Sequence, residues 1–307
     1  MMNVGMIGVG AIAKYYGSAL KTGREFRLNG VADLDPSRTQ LYRESGIPTY
    51  VDYHDMFQRS DIDAVIINVP NDIHFDACAA ALRSGKHVCC EKPLTITLSQ
   101  ATELSCISDQ VNRTLFTAFH RRYNESVRKL KSRIEGLGKP INHVQINYRE
   151  NISDHVENDK WYLDPMRCGG GCVADNGPNA FDTLALIVGR CDAREATITF
   201  DESGIDRDAA ISLVGRYGVT AEVNLDWDYR YGEDKTITVW FEDGATETAD
   251  MLAGYPEFKS SLHHEYERVL QDFCHYIHQG IGRGEEGVDC VRLVDQSYAL
   301  QKRSVER

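Results

Sequence analysis

Apolar and polar positions follow two different rhythms along the chain, and the change between them falls near residue 122. Before it, short continuous apolar runs alternate with helix-period stretches. Residues 4–7 predict a strand that ends in glycines, 11–21 a helix and 26–32 a second strand. Pro36 is placed to open the next helix, with Asp35 as its N-cap. The run 64–69 is almost wholly apolar, as in a strand covered on both faces of a parallel sheet. A helix over 72–84 stopped by Gly85, a strand over 87–90, a helix over 98–111 and a strand over 114–119 complete this part. Strand and helix in that order predict an α/β, doubly wound parallel sheet, with ligands at the C-terminal strand ends.

Past residue 122 a helix over 125–134 leads to an alternating strand over 142–149. A glycine-rich segment and a helix over 180–188 follow, then strand-like runs at 193–200, 209–216, 220–227 and 236–242. Tyr217-Gly218 reads as a hairpin turn between two of them. Two closing helices are expected over 261–279 and 288–302. Runs so closely spaced predict an α+β domain with a large, mainly antiparallel open sheet. The expected division is therefore 1–121, a dinucleotide-binding Rossmann domain, and 122–307, a domain for substrate binding and oligomerisation.

Length agrees, since 307 residues correspond to about two domains of roughly 150 residues. The net charge of -12 argues against nucleic acid as partner, because phosphate binding draws on basic stripes. The basic cluster from His120 to Arg122, then Arg128, Lys129, Lys131 and Arg133, reads as a solvated helix face. The apolar start lacks a basic leader and reads as a strand and turn, and no apolar run reaches about 18 residues, so no membrane partner is expected. Nine cysteines without framework spacing read as reduced thiols of a cytoplasmic protein. Cys168 and Cys172 bracket Gly169-Gly170-Gly171, but no companion ligand pair accompanies them, and no metal is expected.

The first chemical motif is Gly8-Val9-Gly10-Ala11-Ile12-Ala13, a G-x-G-x-x-A between a predicted strand and helix. Gly8 permits the tight turn, Gly10 lets the backbone approach a pyrophosphate, and Ala13 allows close helix–strand packing. Ala11 and Ile12 lie where the helix N-terminus offers N–H groups to phosphates. Asp33 ends the second strand, where a carboxylate can accept from ribose hydroxyls and repel a 2′-phosphate. NAD is thus favoured over NADP, with Arg38 the one nearby basic residue that opposes this; Asp33 can also merely cap the loop before Pro36. The second motif is Glu91-Lys92-Pro93 at a strand end. A lysine there can have its pKa lowered by desolvation and by a positive nicotinamide ring, and can act as general acid/base.

These motifs have company. Asn68-Val69-Pro70-Asn71-Asp72-Ile73-His74, Ala81-Leu82-Arg83-Ser84-Gly85-Lys86-His87-Val88 and Arg122-Tyr123-Asn124 cover the first half. Trp161, Asp164-Pro165, the three glycines and Asp175-x-Gly177-x-Asn179-x-x-Asp182 continue it. In this order they closely resemble the glucose–fructose oxidoreductase / inositol dehydrogenase / MocA (Gfo/Idh/MocA) family. The resemblance implies that Lys92 hydrogen-bonds the reacting oxygen and shuttles its proton, and that Asp175 binds substrate and supports that lysine. It places Pro70, Asn71, His74 and Glu91 along the nicotinamide and ribose pocket, with Asn68 and Lys92 also among the cofactor-binding positions.

Asn179 departs from the family, which carries His or sometimes Tyr there as a second acid/base group. Asparagine can only donate and accept hydrogen bonds. Either Lys92 alone carries the proton step while Asn179 orients substrate, or Tyr162, His155 or His120 takes the missing role. Asn176 and Asn179 suit a hydroxyl-rich sugar or polyol, with Tyr162 as a further substrate contact. Trp161, Tyr162, Trp227, Tyr229 and Tyr231 are candidates to stack on a sugar face.

The expected activity is NAD-dependent hydride transfer at a hydroxyl or keto carbon of a sugar, sugar derivative or cyclitol. The alternatives are an NAD-dependent glycosidase on the same scaffold and a non-catalytic NAD- or sugar-binding regulator. The family also implies a homo-oligomer, dimer or tetramer, formed through the open face of the second sheet.

Overall fold

The computed structural model describes residues 1–156, 160–255 and 258–305, and within these it leaves the side chains of 155, 160, 258 and 302–305 undescribed. The chain forms two compact units: Met1–His120 with Leu262–Val288, and Arg121–Ser261 with Asp289–Arg307. The chain leaves the first unit close to the expected boundary at 121. It then returns to that unit, so the second is not the continuous stretch 122–307.

In the first unit the elements run β1 (Met2–Ile7), α1 (Ala13–Thr22), β2 (Phe26–Ala32), α2 (Gln40–Glu44), β3 (Thr49–Tyr50), α3 (Tyr53–Phe57), β4 (Ala64–Ile67), α4 (Asn71–Arg83), β5 (His87–Glu91), α5 (Leu98–Val111) and β6 (Leu115–Ala118). Every pairing is parallel and the order is β3-β2-β1-β4-β5-β6, the doubly wound arrangement. Order reverses beside β1, whose neighbours are β2 and β4, and this reversal creates a ligand crevice at the strand ends. Ala64, Val65, Ile66 and Ile67 are all 0% exposed, which explains a run without a polar face. Asp35 does not cap a helix at Pro36; its carboxylate takes the N–H and hydroxyl of Ser37 at 2.9 and 2.7 Å, closing a turn ahead of α2.

The returning segment is drawn in by apolar burial. The Phe273 ring lies 5.3 Å from Phe26 and 5.8 Å from Phe116, and Tyr266 lies 4.7 Å from Tyr16 and 5.7 Å from Tyr15. Burying one such ring contributes about 1.5–3 kcal/mol.

The second unit holds α6 (Glu125–Leu137), β7 (Ile141–Arg149), α7 (Ser153–Val156), α8 (Pro165–Cys168), α9 (Cys172–Val188), β8 (Cys191–Phe200), β9 (Asp206–Gly215), β10 (Thr220–Asp226), β11 (Asp234–Phe241) and β12 (Thr246–Asp250). Helix α10 (Phe258–Gln279) begins in this unit and continues into the first, and α11 (Glu285–Val305) makes the reverse passage. The sheet order is β12-β11-β7-β10-β9-β8, antiparallel except for the β7–β10 pair. Val144, Ile146, Val223, Leu225, Ile237 and Val239 form its covered face, against α9. Gln145, Asn147, Asn224 and Thr236 form a hydrogen-bonded polar row on the other. β12 escaped the sequence pattern because only Ala249 in Thr-Glu-Thr-Ala-Asp is buried; pairing with β11 makes it a strand.

The basic cluster is not one solvated face. Arg121 is 0% exposed and Arg122 pairs with Asp182, whereas Lys129, Lys131 and Arg133 on α6 pair with carboxylates at the surface.

His87 opens β5, and its Nδ1 accepts the Thr114 N–H at 3.0 Å, which requires an unprotonated nitrogen. Burial, with Arg113 and Arg283 nearby, pushes its pKa down to about 4. An unfolded histidine titrates near about 6.5, so protonation favours the unfolded chain between those values. Stability is present above that range and is lost as pH falls through it. Melting temperatures followed over this range are expected to fall more steeply for wild type than for His87→Asn, whose amide oxygen can accept the same N–H.

Candidate functional site

At the end of β1 the chain turns through Gly8 at φ +84°, and a Cβ there would stand 2.8 Å from the Asn68 carbonyl oxygen. Only glycine tolerates both conditions. The loop is tied to the end of β2: the Val9 N–H donates to Asp33 Oδ2 at 2.7 Å and the Asp35 N–H to Oδ1 at 2.9 Å. Asp33 therefore caps its own loop and also holds the glycine turn. A carboxylate has about four acceptor positions, so capacity for ribose hydroxyls remains. Arg38 reaches the same loop, with Nη1 3.9 Å from where a Gly10 Cβ would stand. No side chain caps α1 at Ile12, and the first-turn N–H groups, Ala11 and Ile12 among those leading into them, suit phosphate oxygens.

Asn68 follows β4, and its amide nitrogen and oxygen are both buried without a hydrogen-bond partner among the described residues. Leaving such a group unmet costs about 1–3 kcal/mol, so the position calls for a ligand that both donates and accepts. A dinucleotide with ribose hydroxyls and a carboxamide satisfies that demand, and the glycine turn is a cradle that a Cβ would fill. The residues present fit NAD.

Pro70 caps α4, and Asn71 starts it, 3% exposed. His74, 0% exposed, sets Nε2 2.9 Å from the Val69 carbonyl and Nδ1 2.7 Å from that of Pro93. Burial and the Lys92 charge push its pKa below the ordinary value, and the two carbonyls oppose this. The imidazole thus braces the Glu91-Lys92-Pro93 turn against the α4 entry, with the Lys92–Pro93 peptide cis. Glu91 is buried, accepts from Tyr16 Oη at 2.8 Å and is bonded by Tyr266; burial pushes its pKa up. Lys92, half-buried, stands at the C-terminal end of β5 next to these groups. His120, a candidate for the missing acid/base role, is committed elsewhere in this unit. Its Nδ1 lies 2.6 Å from Glu265, and its ring stacks on Tyr266.

The second unit carries the other expected residues on α9. The sequence pattern starts this helix at 180, whereas it begins at Cys172, because a distant carboxylate caps it. Asp206 at the start of β9 accepts the Gly171 N–H at 2.6 Å and the Val173 N–H at 2.7 Å, and Tyr298 donates to it at 2.8 Å. Burial and Asp206 push the Tyr298 pKa up. The glycines make room: a Cβ on Gly171 would stand 2.0 Å from the Asp206 carbonyl oxygen, and one on Gly170 2.0 Å from Tyr298 Oη. Asp175, Asn176 and Asn179 occupy the first turns of this helix, all at least 94% buried.

The side chains of Asn176 and Asn179 look onto the end of the covered sheet face, where it turns polar. Asn176 Nδ2 donates to Glu150 Oε1 at 3.0 Å, and Asn179 Nδ2 lies 3.5 Å from Tyr148 Oη. Lys235, 0% exposed, bonds Glu150 at 2.5 Å and Glu233 at 2.6 Å. Removing one partner of such a buried pair costs about 3–5 kcal/mol. Sequence reasoning missed Tyr148, Glu150, Lys235 and Asp206. Tyr148 and Glu150 continue the 144, 146 alternation of β7 and were within reach of a period-two count; Lys235 and Asp206 depend on pairing across strands and carry no local signal.

Of the aromatic candidates, Trp161 and Tyr162 stack on each other at 3.9 Å and are half-buried. Trp227 is core, 0% exposed, and Tyr231 is 86% exposed. Tyr229 packs edge-on against Tyr231. The side chain of His155 lies outside the described residues. No group of three or more potential metal ligands occurs among the described residues, nor does a helix long and apolar enough to cross a membrane.

Comparison with known proteins places both units. Residues 2–119 match the model of an oxidoreductase family with an NAD-binding Rossmann fold, and residues 127–247 match the GFO/IDH/MocA C-terminal domain. Myo-inositol 2-dehydrogenase of Thermotoga maritima is 28% identical over 100% of this chain and 97% of its own. The 1,5-anhydro-D-fructose reductase of Ensifer adhaerens is 30% identical over 66% of this chain and 61% of its own. In fold the chain is similar to GenD2 from gentamicin A biosynthesis, solved with NAD, at TM-score 0.89 and 17% identity, with 99% of this chain and 95% of that one covered.

The packing around α9 sets a stability test. Gly171→Ala forces the Asp206 backbone to shift and is expected to lose at least about 2 kcal/mol in urea unfolding, whereas a loss under about 0.5 kcal/mol is ordinary for a surface change and contradicts the packing described.

Proposed function

Because the chain belongs to the Gfo/Idh/MocA family of NAD(P)-dependent sugar or cyclitol oxidoreductases, we propose that it moves a hydride between NAD and a hydroxyl or keto carbon of an unphosphorylated sugar or cyclitol. The observation that carries this is the position of Lys92, at the end of β5 with the next peptide pinned by His74. Bound NAD supplies the hydride acceptor and donor. Asp33 and the glycine turn hold the adenosine end, and the carboxylate of Asp33 disfavours a 2′-phosphate.

Lys92 hydrogen-bonds the reacting oxygen and serves as acid/base group there, and its positive charge stabilises oxygen as it becomes alkoxide-like. Asp175, Asn176, Asn179 and Tyr162 orient the substrate hydroxyls. In the second unit Lys235 is matched by Glu150 and Glu233, and Arg122 by Asp182. Charges so matched favour an uncharged ligand over a sugar phosphate. All nine cysteines are free thiols, which supports a cytoplasmic setting.

Absorbance of the reduced cofactor, followed with NAD and separately NADP over a panel of sugars, sugar phosphates and inositols, tests the proposal. Turnover with NAD on an unphosphorylated member is expected, with Lys92→Ala slower by about 10²-fold or more. NAD binding without any turnover overturns it in favour of a regulator. Release of sugar from a nitrophenyl glycoside without net reduction overturns it in favour of a glycosidase. The family resemblance also carries a homo-oligomer, dimer or tetramer, built on the open polar face of the second sheet. Light scattering is expected to return a multiple of 34.6 kDa, and a monomer mass contradicts that assembly.

A further inference from the structure

Asn179 has no proton to exchange at working pH, so position 179 of α9 cannot supply the second acid/base group. A phenol stands beside it. Tyr148 on β7 is 2% exposed, and Asn179 Nδ2 lies 3.5 Å from its hydroxyl oxygen. Arg121 Nε donates to the same oxygen at 3.3 Å. Lys235, its cross-strand partner on β11, stands over the ring with Nζ 4.8 Å from the centroid, matched in turn by Glu150 and Glu233. Donors from two elements thus converge on one buried oxygen, and a cation from a third faces the ring. Among the described residues the hydroxyl proton of Tyr148 meets no acceptor. A buried phenol that receives two hydrogen bonds and gives none is arranged to give its proton to a ligand oxygen.

We propose that Tyr148 is the second acid/base residue of this enzyme, exchanging its hydroxyl proton with the reacting oxygen of the bound sugar or cyclitol. The assignment rests on the oxidoreductase function proposed above. In the reductive direction the substrate carbonyl carbon accepts a hydride, with both its electrons. The Tyr148 O–H bond breaks, and its proton forms the new O–H bond on the substrate. The phenolate left behind is held by the N–H donors of Arg121 and Asn179 until solvent returns a proton. Oxidation runs the same steps in reverse. Tyr148 changes only in protonation, and no co-reactant beyond the dinucleotide is needed. Tyr148 thus fills the role for which other members of the family carry a histidine at the position of Asn179.

The test compares wild-type holoenzyme, Tyr148→Phe and the double variant Tyr148→Phe/Asn179→His on the sugar or cyclitol that wild type turns over fastest. The Phe variant is expected to lose about 10²-fold or more in kcat, while calorimetric affinity for the same sugar stays within about threefold. One limb of its pH–rate profile disappears. The double variant is expected to recover about tenfold or more, with a new limb near the ordinary imidazole value of about 6.5. Fluorotyrosine at position 148 keeps the volume and hydrogen bonds but is a stronger acid, so it moves that limb to lower pH even if the Phe variant does not fold. A Phe variant with wild-type kcat and both limbs, or a limb that fluorotyrosine leaves in place, overturns the assignment while the oxidoreductase function stands. Wild type without turnover on any sugar or cyclitol overturns both.

Discussion

The Asp206 carboxylate holds the start of α9 in place in the second unit. It satisfies two N–H groups at the entry to α9, where the unpaired donors and positive dipole end of a helix make an anion stabilising. Without that cap the first turns of α9 have little to form them: Gly177 and Pro178 lie within them, and Pro178 has no N–H to donate to the Ala174 carbonyl. Those are the turns that carry Asp175, Asn176 and Asn179. Gly170 and Gly171 before the helix are the steric counterpart of the same contact, because a side chain there collides with Tyr298 or Asp206. A motif that looks like a flexible linker is thus a close-packed joint.

The cofactor half obeys a different constraint. Its central strands β4 and β5 are buried on both faces, so polar groups accumulate where the strands end. Gly8, Asp33, Asn68 and Glu91 all follow or close strands in this way, and the sheet reverses order beside β1. Much of the polar equipment there is committed to the protein itself. Asp33 holds the glycine turn, His74 braces the Lys92 turn, and Glu91 is tied to Tyr16 and Tyr266. Preorganisation by such contacts lowers the ordering that binding would otherwise require.

Asn179 connects the two kinds of information. As a residue type it has no proton to exchange and can only donate and accept hydrogen bonds. As a placed side chain it directs attention to Tyr148, whose surroundings on β7 and β11 are a matter of strand register. A one-residue slip of β7 would turn both Tyr148 and Glu150 to the polar open face, so the arrangement is held by the apolar positions Val144 and Ile146 that share their side of the strand.

The order of the main strands and helices, the parallel character of the first sheet, the glycine turn and the candidacy of Asp33 and Lys92 were legible in the sequence, while Asp175 became a candidate through the family resemblance. These are local properties: apolar periodicity, turn residues and short motifs act over a few positions, and β2 and α5 fall where the periodicity places them. Tertiary structure alone decided the start of α9, the edge strand β12, the burial of Arg121 and Trp227, and the return of Leu262–Val288 to the first unit. It also decided which polar groups meet, since the partners Asp206, Lys235 and Glu265 stand far along the chain from the residues they serve. A carboxylate that caps a helix across tens of residues, or a lysine buried because two glutamates face it, leaves no trace in its neighbours. Its energy comes from desolvated contacts that exist only once the chain has folded.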